Sequence, residues 1–198
     1  MILLSSHLDR VRQEFPLAFV KNAHVGLLDN FVGVLVTYLA LYDDPNLLKM
    51  EWAGKVRIWH NRAEEWGRLS ERGFRIRKTD VVVVIDVAAG DNYKGLDFAV
   101  ENIWGIPKRR LNELKKDLEW EQFRIKWKTW EKDPDFQDEA WQWKKKGIPA
   151  MSFIVPIVGS SPGDNWHGTE SRVDAQHVII AKEGLKRLIS GLADWYAR

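Results

Sequence analysis

The residues able to do chemistry in this chain are its carboxylates and five histidines. Cysteine is absent, which removes disulfides, a thiol nucleophile, an iron–sulfur cluster and any Cys-ligated zinc. A metal held here would have His and carboxylate ligands. The candidates are His7 with Asp9, Asp29, His60 followed by the adjacent pair Glu64 and Glu65, then Asp86, then His167. Brought together, that many carboxylates are costly to bury unless cations compensate them. Two divalent ions about 3.5–4 Å apart, sharing one carboxylate, would do so. Water held between two cations loses a proton near neutral pH, so the chemistry expected of such a set is activation of water.

The elements that must position these residues are legible in outline. Ile2 to Ser5 is a short apolar run, Lys55 to Trp59 has the alternation of a strand, and Asp80 to Asp86 is an almost unbroken β-branched run. Met151 to Val158 is another such run. Continuous apolar strands are those buried on both faces, as in a parallel sheet covered by helices. Asp29 to Leu41 has helical spacing (Phe31, Val34, Leu35, Tyr38, Leu39), and Asp29 can cap it. Ala181 to Tyr196 reads as a closing amphipathic helix. Strands alternating with helices predict a three-layer α/β/α fold with a mostly parallel central sheet. Ligands of such sheets sit beyond the carboxyl ends of the strands, which is where His7, His60 and Asp86 fall.

The 198 residues fit one domain, with hydrophobic residues at 45% and charged residues at 29%. A net charge of +2 gives no argument for a nucleic-acid or membrane partner. The longest apolar stretch, Phe31 to Leu41, is too short to span a bilayer. Met1 to Leu4 lacks the basic start of a signal peptide, so a cytoplasmic location is expected. The chain holds eleven Trp. Trp120, Trp127, Trp130, Trp141 and Trp143 lie in the charge-rich segment at about 105–146. There Leu111, Leu114, Leu118, Trp120, Phe123, Trp127 and Trp130 keep helical spacing. A long helix from Lys108 to Glu131 is expected, ended by Asp133-Pro134-Asp135, with a second, shorter helix before Gly147-Ile148-Pro149. Such a Trp face suits packing, a lid or a homo-oligomer interface. Stacking of single-stranded nucleic acid is disfavoured by the interleaved acids Glu113, Asp117, Glu119, Glu121 and Glu131.

Six short elements then occur in one order. They are Ser6-His7-Leu8-Asp9, Leu28-Asp29-Asn30-Phe31-Val32-Gly33-Val34, Ala63-Glu64-Glu65-Trp66-Gly67, Ile85-Asp86-Val87-Ala88-Ala89-Gly90-Asp91, Gly147-Ile148-Pro149-Ala150 and His167-Gly168-Thr169-Glu170-Ser171, with Asp174 beyond. In types, spacing and order they resemble the two-metal zinc exopeptidases, most closely the glutamyl/tetrahedral aminopeptidase branch. The resemblance runs from Ser6 to Asp174. It implies a single catalytic domain in a short form of the fold, without the strands that family members carry ahead of the first ligand strand.

The same resemblance implies roles. His7 and Asp86 would hold one metal, Glu65 and His167 the other, and Asp29 would bridge them. Glu64 would be the general base. Asp9 would fix the tautomer of His7, as metal-ligating imidazoles require. The ions would be zinc, with cobalt and manganese also suited to His and carboxylate ligands. The implied reaction is hydrolysis of short peptides by an aminopeptidase. A deacylase or amidase of the same superfamily is the nearest alternative, and an inactive relative serving as a binding or assembly module is another. Family members often place an acidic or polar residue ahead of Gly-Ile-Pro near the site, and Asp138 is the candidate here. His24, His60 and His177 match no element and are expected to be structural, with His60 near enough in sequence to touch substrate.

Overall fold

The computed structural model describes residues 1–7, 19–20, 23–24, 27–43, 53–62, 68–70, 73–86, 96–129, 138–154 and 175–197. In chain order the elements are β1 (Ile2–His7), the short pair β2 (Phe19–Val20) and β3 (Ala23–His24), and a π-helical turn, Leu27–Val32, that leads into α1 (Gly33–Tyr42). A 3-10 turn, Ala53–Lys55, precedes β4 (Val56–Asn61), β5 (Val81–Asp86) and β6 (Phe98–Trp104). Then come α2 (Lys108–Trp120), β7 (Ile125–Thr129), α3 (Glu139–Lys145), β8 (Ala150–Ile154) and α4 (Ala175–Ala197).

Six strands form one sheet in the order β4-β1-β5-β8-β6-β7. β4, β1, β5 and β8 are parallel, β6 runs antiparallel to β8, and β7 is parallel to β6. Helices cover both faces, as the sequence predicts. Ile2, Leu4, Val81, Val83 and Ile85 share a core with Leu111, Leu114 and Leu118 of α2 and Leu185, Leu188, Ile189 and Leu192 of α4. Leu3, Val82 and Val84 join Trp59, Ala140, Trp143 and Ile148 in a smaller core on the α3 side. β1 and β5 are buried along their whole length, which is why they read as unbroken apolar runs. β4 alternates in burial, as an outer strand should. α4 lies close on the sheet because Gly184 leaves no side chain there: a Cβ would stand 2.3 Å from the Phe98 ring.

Three expectations are corrected. The helix from Lys108 ends at Trp120, and Ile125–Thr129 is a strand paired with β6. Gln122, at φ 64°, turns the chain out of the helix. Arg124 then donates its backbone N–H and its guanidinium to Asp97 (2.7 and 2.8 Å), which starts β7 beside β6. Asp29 is not at the N-cap position of α1. It lies inside the π-helical turn, and Val32, with no capping side chain, takes the N-cap position. The closing helix begins at Ala175, so His177 is part of it rather than ahead of it. β6 has no counterpart among the predicted strands. The shorter helix before Gly-Ile-Pro is present as α3, while Asp133-Pro134-Asp135 and residues 155–158 lie outside the described residues.

The Trp-rich segment divides. Trp143 is fully buried, edge-on to Trp59 at 5.7 Å, whereas Trp120 is 86% exposed. Lys115 sits over Trp127, and Lys144 and Lys145 over Trp141. Among the described residues no helix is long and apolar enough to cross a membrane.

Candidate active site

Parallel strands deliver His7 and Asp86 to the same edge of the sheet, at the carboxyl ends of the neighbours β1 and β5. Both are buried, and His7 Nε2 lies 3.5 Å from Asp86 Oδ1. That is longer than the ~2.7–3.2 Å of a good N–H···O bond. Two ligands of one tetrahedral ion, each about 2.0–2.1 Å from it, stand about 3.3–3.4 Å apart. The imidazole nitrogen and carboxylate oxygen therefore fit a shared cation. Ladder pairing of β1 with β5 stops at Ser5 and Val84, although both strands continue to these two residues. The strands part where the candidate ligands begin.

Two further carboxyl groups stand behind this pair, contributed by the start of α3. Asp138 caps the helix, accepting from the Ala140 N–H (2.9 Å), and also accepts from Asn102 Nδ2 (2.9 Å) and the Ser152 hydroxyl. Glu139 accepts from the Ser5 hydroxyl and from Trp143 Nε1 (2.8 Å). Burial pushes Glu139 up to about 7, opposed by these hydrogen bonds, the nearby His7 and Asn61. Burial likewise raises Asp138 to about 6. The Ser152 and Asn102 bonds pull Asp138 down, and the neighbouring Asp86 charge adds to the rise. A cation in front of such groups would favour their charged forms. Asn102, which reaches Asp138, sits at φ 49° where the β6 register shifts, a bulge that re-aims its side chain.

Asparagines fix the backbone on either side of the pair. Asn61, paired in register with His7, donates to Arg68 O (2.8 Å) and accepts from Ser70 N (2.8 Å). Arg62 N also donates to Ser70 Oγ (3.1 Å). These bonds close the base of the segment that carries Glu64 and Glu65. Asn30, beside Asp29, donates to Ile85 O, beside Asp86, at 2.6 Å.

The sequence-predicted residues are thus placed unequally. His7 and Asp86 come together. Asp29 is described in its backbone alone, in the turn that Asn30 ties to β5. Asp9, Glu64, Glu65 and His167 lie outside the described residues. Among the described residues no group of three His, Asp or Glu side chains converges as a metal site. Asp138 lies beside Asp86, as expected of a residue near the site. Glu139, Asn30, Asn61 and Asn102 were not singled out. Glu139 and Asn30 adjoin Asp138 and Asp29, Asn61 follows His60, and Asn102 carries no sequence signal. His60 shares Ser6 Oγ through Nδ1 (2.9 Å) and Tyr38 OH through Nε2 (3.2 Å), and burial lowers its pKa. From β4 it thus bonds to both β1 and α1.

No protein-family model matches the chain, and no curated protein matches it in sequence. Solved structures share its fold. The Legionella pneumophila LapA aminopeptidase superposes with a TM-score of 0.66 at 16% identity, over 97% of this chain and 51% of that one. BSAP, a zinc aminopeptidase from Bacillus subtilis, does so at 0.61 and 16%, over 95% of this chain and 45% of that one. The gamma-secretase component Nicastrin gives 0.64 and 13%, over 97% and 40%. The chain therefore spans about half the length of these neighbours or less, and the likeness is one of fold.

Proposed function

We propose that this chain carries the catalytic site of a metal-dependent exopeptidase, an aminopeptidase acting on short peptides. The observation that carries the reading is the His7–Asp86 pair, buried at the carboxyl ends of adjacent parallel strands with a ligand-like separation of 3.5 Å. The shared fold with two aminopeptidases supports it. His7 and Asp86 would hold one divalent ion, Glu65 and His167 a second, and Asp29 would bridge them. Asp9 would hold the His7 imidazole in its ligating tautomer. Bound ions would acidify a water and polarise the scissile carbonyl. Glu64 would take the water's proton and deliver it to the leaving amine. Asp138 and Glu139 would keep the floor of the site negative, favouring cations over water alone.

The test is metal content with activity. The purified protein should bind two equivalents of zinc and cleave aminoacyl anilides, and a chelator should abolish cleavage. Glu64→Gln should retain both ions and lose activity by at least about 100-fold, the scale of general-base catalysis. Metal binding with cleavage of acylated amines, and none of peptides, would instead mark a deacylase or amidase. A second reading has its own support: Nicastrin, a component of a larger assembly, shares the fold. On that reading the chain is a binding module, and a folded protein that takes up no zinc would favour it.

A further inference from the structure

We propose that Asn30 is a positioning residue of the candidate metal centre, and that residue 33 is glycine so that Asn30 can act. This rests on the two-metal reading above. Asn30 is 2% exposed and sits in the π-helical turn next to Asp29. A polar residue at a helix start usually turns its side chain back on its own helix as a cap. Asn30 instead reaches across to the sheet and donates Nδ2 to the carbonyl of Ile85 at 2.6 Å. It bonds there beyond the end of the β1–β5 ladder, whose last pair is Ser5 with Val84. One amide thus ties the backbone carrying Asp29 to the residue before Asp86.

Gly33 completes the lock. A Cβ on residue 33 would lie 1.9 Å from Asn30 Oδ1, 2.6 Å from its Cγ and 2.8 Å from its Nδ2. A methyl at residue 33 would force the Asn30 amide out of the position from which it holds Ile85. Residue 33 is the first of α1, where alanine ordinarily favours a helix over glycine. The Asp29-Asn30-x-x-Gly33 spacing therefore has a mechanical reading: carboxylate, tether, and the clearance the tether needs.

Zinc binding to chelator-stripped protein, followed by titration calorimetry and by the visible spectrum of a cobalt-loaded sample, tests this. Asn30→Ala should keep the wild-type far-ultraviolet spectrum and cooperative unfolding, yet bind zinc about 10- to 100-fold more weakly and change the cobalt band. Gly33→Ala should do the same. In an Asn30→Ala background, Gly33→Ala should cost no further affinity, because the clash is gone. Should Asn30→Ala fail to fold, Asn30→Ser, too short to reach Ile85, is read in its place. Wild-type zinc affinity and an unchanged cobalt band in the Asn30 variant overturn the inference while leaving the two-metal reading standing. So does a Gly33→Ala effect that is equally large without Asn30. Wild-type protein that binds no zinc overturns that reading and this inference with it.

Discussion

The two faces of the central sheet are built on different principles. The face under α1, α2 and α4 is sealed by aliphatic side chains and Phe rings, from Ile2 and Leu4 through Phe98 to Leu188 and Leu192. The face under α3 has a smaller apolar core, and at the edge where β1, β5 and β8 end it turns polar: Ser5, Glu139, Asp138 and Ser152 are all buried. The first face stabilises the fold. The second places two carboxyl groups where burial opposes their ionisation. Native proteins tolerate such local cost where a site requires it. Here the cost sits on the α3 side of the His7–Asp86 pair, and the apolar side leaves room to carry it.

This contrast makes predictions of decreasing size. Leu188→Ala, at a fully buried position on the apolar face, should destabilise by about 2–5 kcal/mol. Denaturant titration would show this, while zinc affinity of the folded fraction stays the same. A matching loss of affinity would mean that the two faces are not independent.

Glu139→Gln should act in the opposite sense. A carboxyl held near 7 in the fold but near its ordinary value when unfolded keeps its proton longer in the folded state. Stability of metal-stripped protein should then be greatest below about pH 4.5 and fall as pH rises through about 7. The glutamine variant keeps an oxygen for Ser5 and Trp143, so it should reduce that slope to the share left by Asp138. At pH 8 it should gain about 2–3 kcal/mol over the stripped parent, and it should bind zinc more weakly. A slope as steep in the variant as in the parent would place the titration elsewhere.

Trp120→Ala, at an 86% exposed position, should change monomer stability by no more than about 0.5 kcal/mol. Sedimentation measurements carry the information here. If the Trp-rich segment forms a contact between copies, the variant should dissociate at concentrations where the parent associates. An unchanged sedimentation coefficient would remove Trp120 from any such contact.

The parts of this architecture that were legible in the sequence are those where one force dominates. β1, β5 and β8 are buried strands, and their apolar runs announce them. His7 and Asp86 follow directly, because the ends of neighbouring parallel strands must meet. β6 was hidden because Glu101 and Asn102 interrupt it at a bulge. In sequence β7 is ambiguous: Phe123, Trp127 and Trp130 satisfy a helical repeat, while Ile125, Trp127 and Thr129 satisfy a strand equally well. Pairing with β6 and the left-handed Gln122 decide between them. Asp138 and Glu139 stand in a charge-rich stretch, where adjacent acids ordinarily face water. Only the tertiary fold reveals that Ser5, Asn102, Trp143 and Ser152 enclose them. Asn30 is of the same kind: its partner lies 55 residues away in the chain.

The reversal of β6 against β8 has a consequence for how this surface can change. β1, β4, β5 and β8 run toward the edge that holds His7 and Asp86, while β6 and β7 run away from it. Four strands therefore end at this edge and two begin there. The two that begin are stapled by Asp97 and Arg124 at the mouths of β6 and β7. Length variation ahead of Arg124, between α2 and β7, would reach this edge without lengthening the strands that carry His7 and Asp86. The α2–β7 connection, which enters this edge, is thus a place to graft diversity that does not adjoin His7 or Asp86 in sequence.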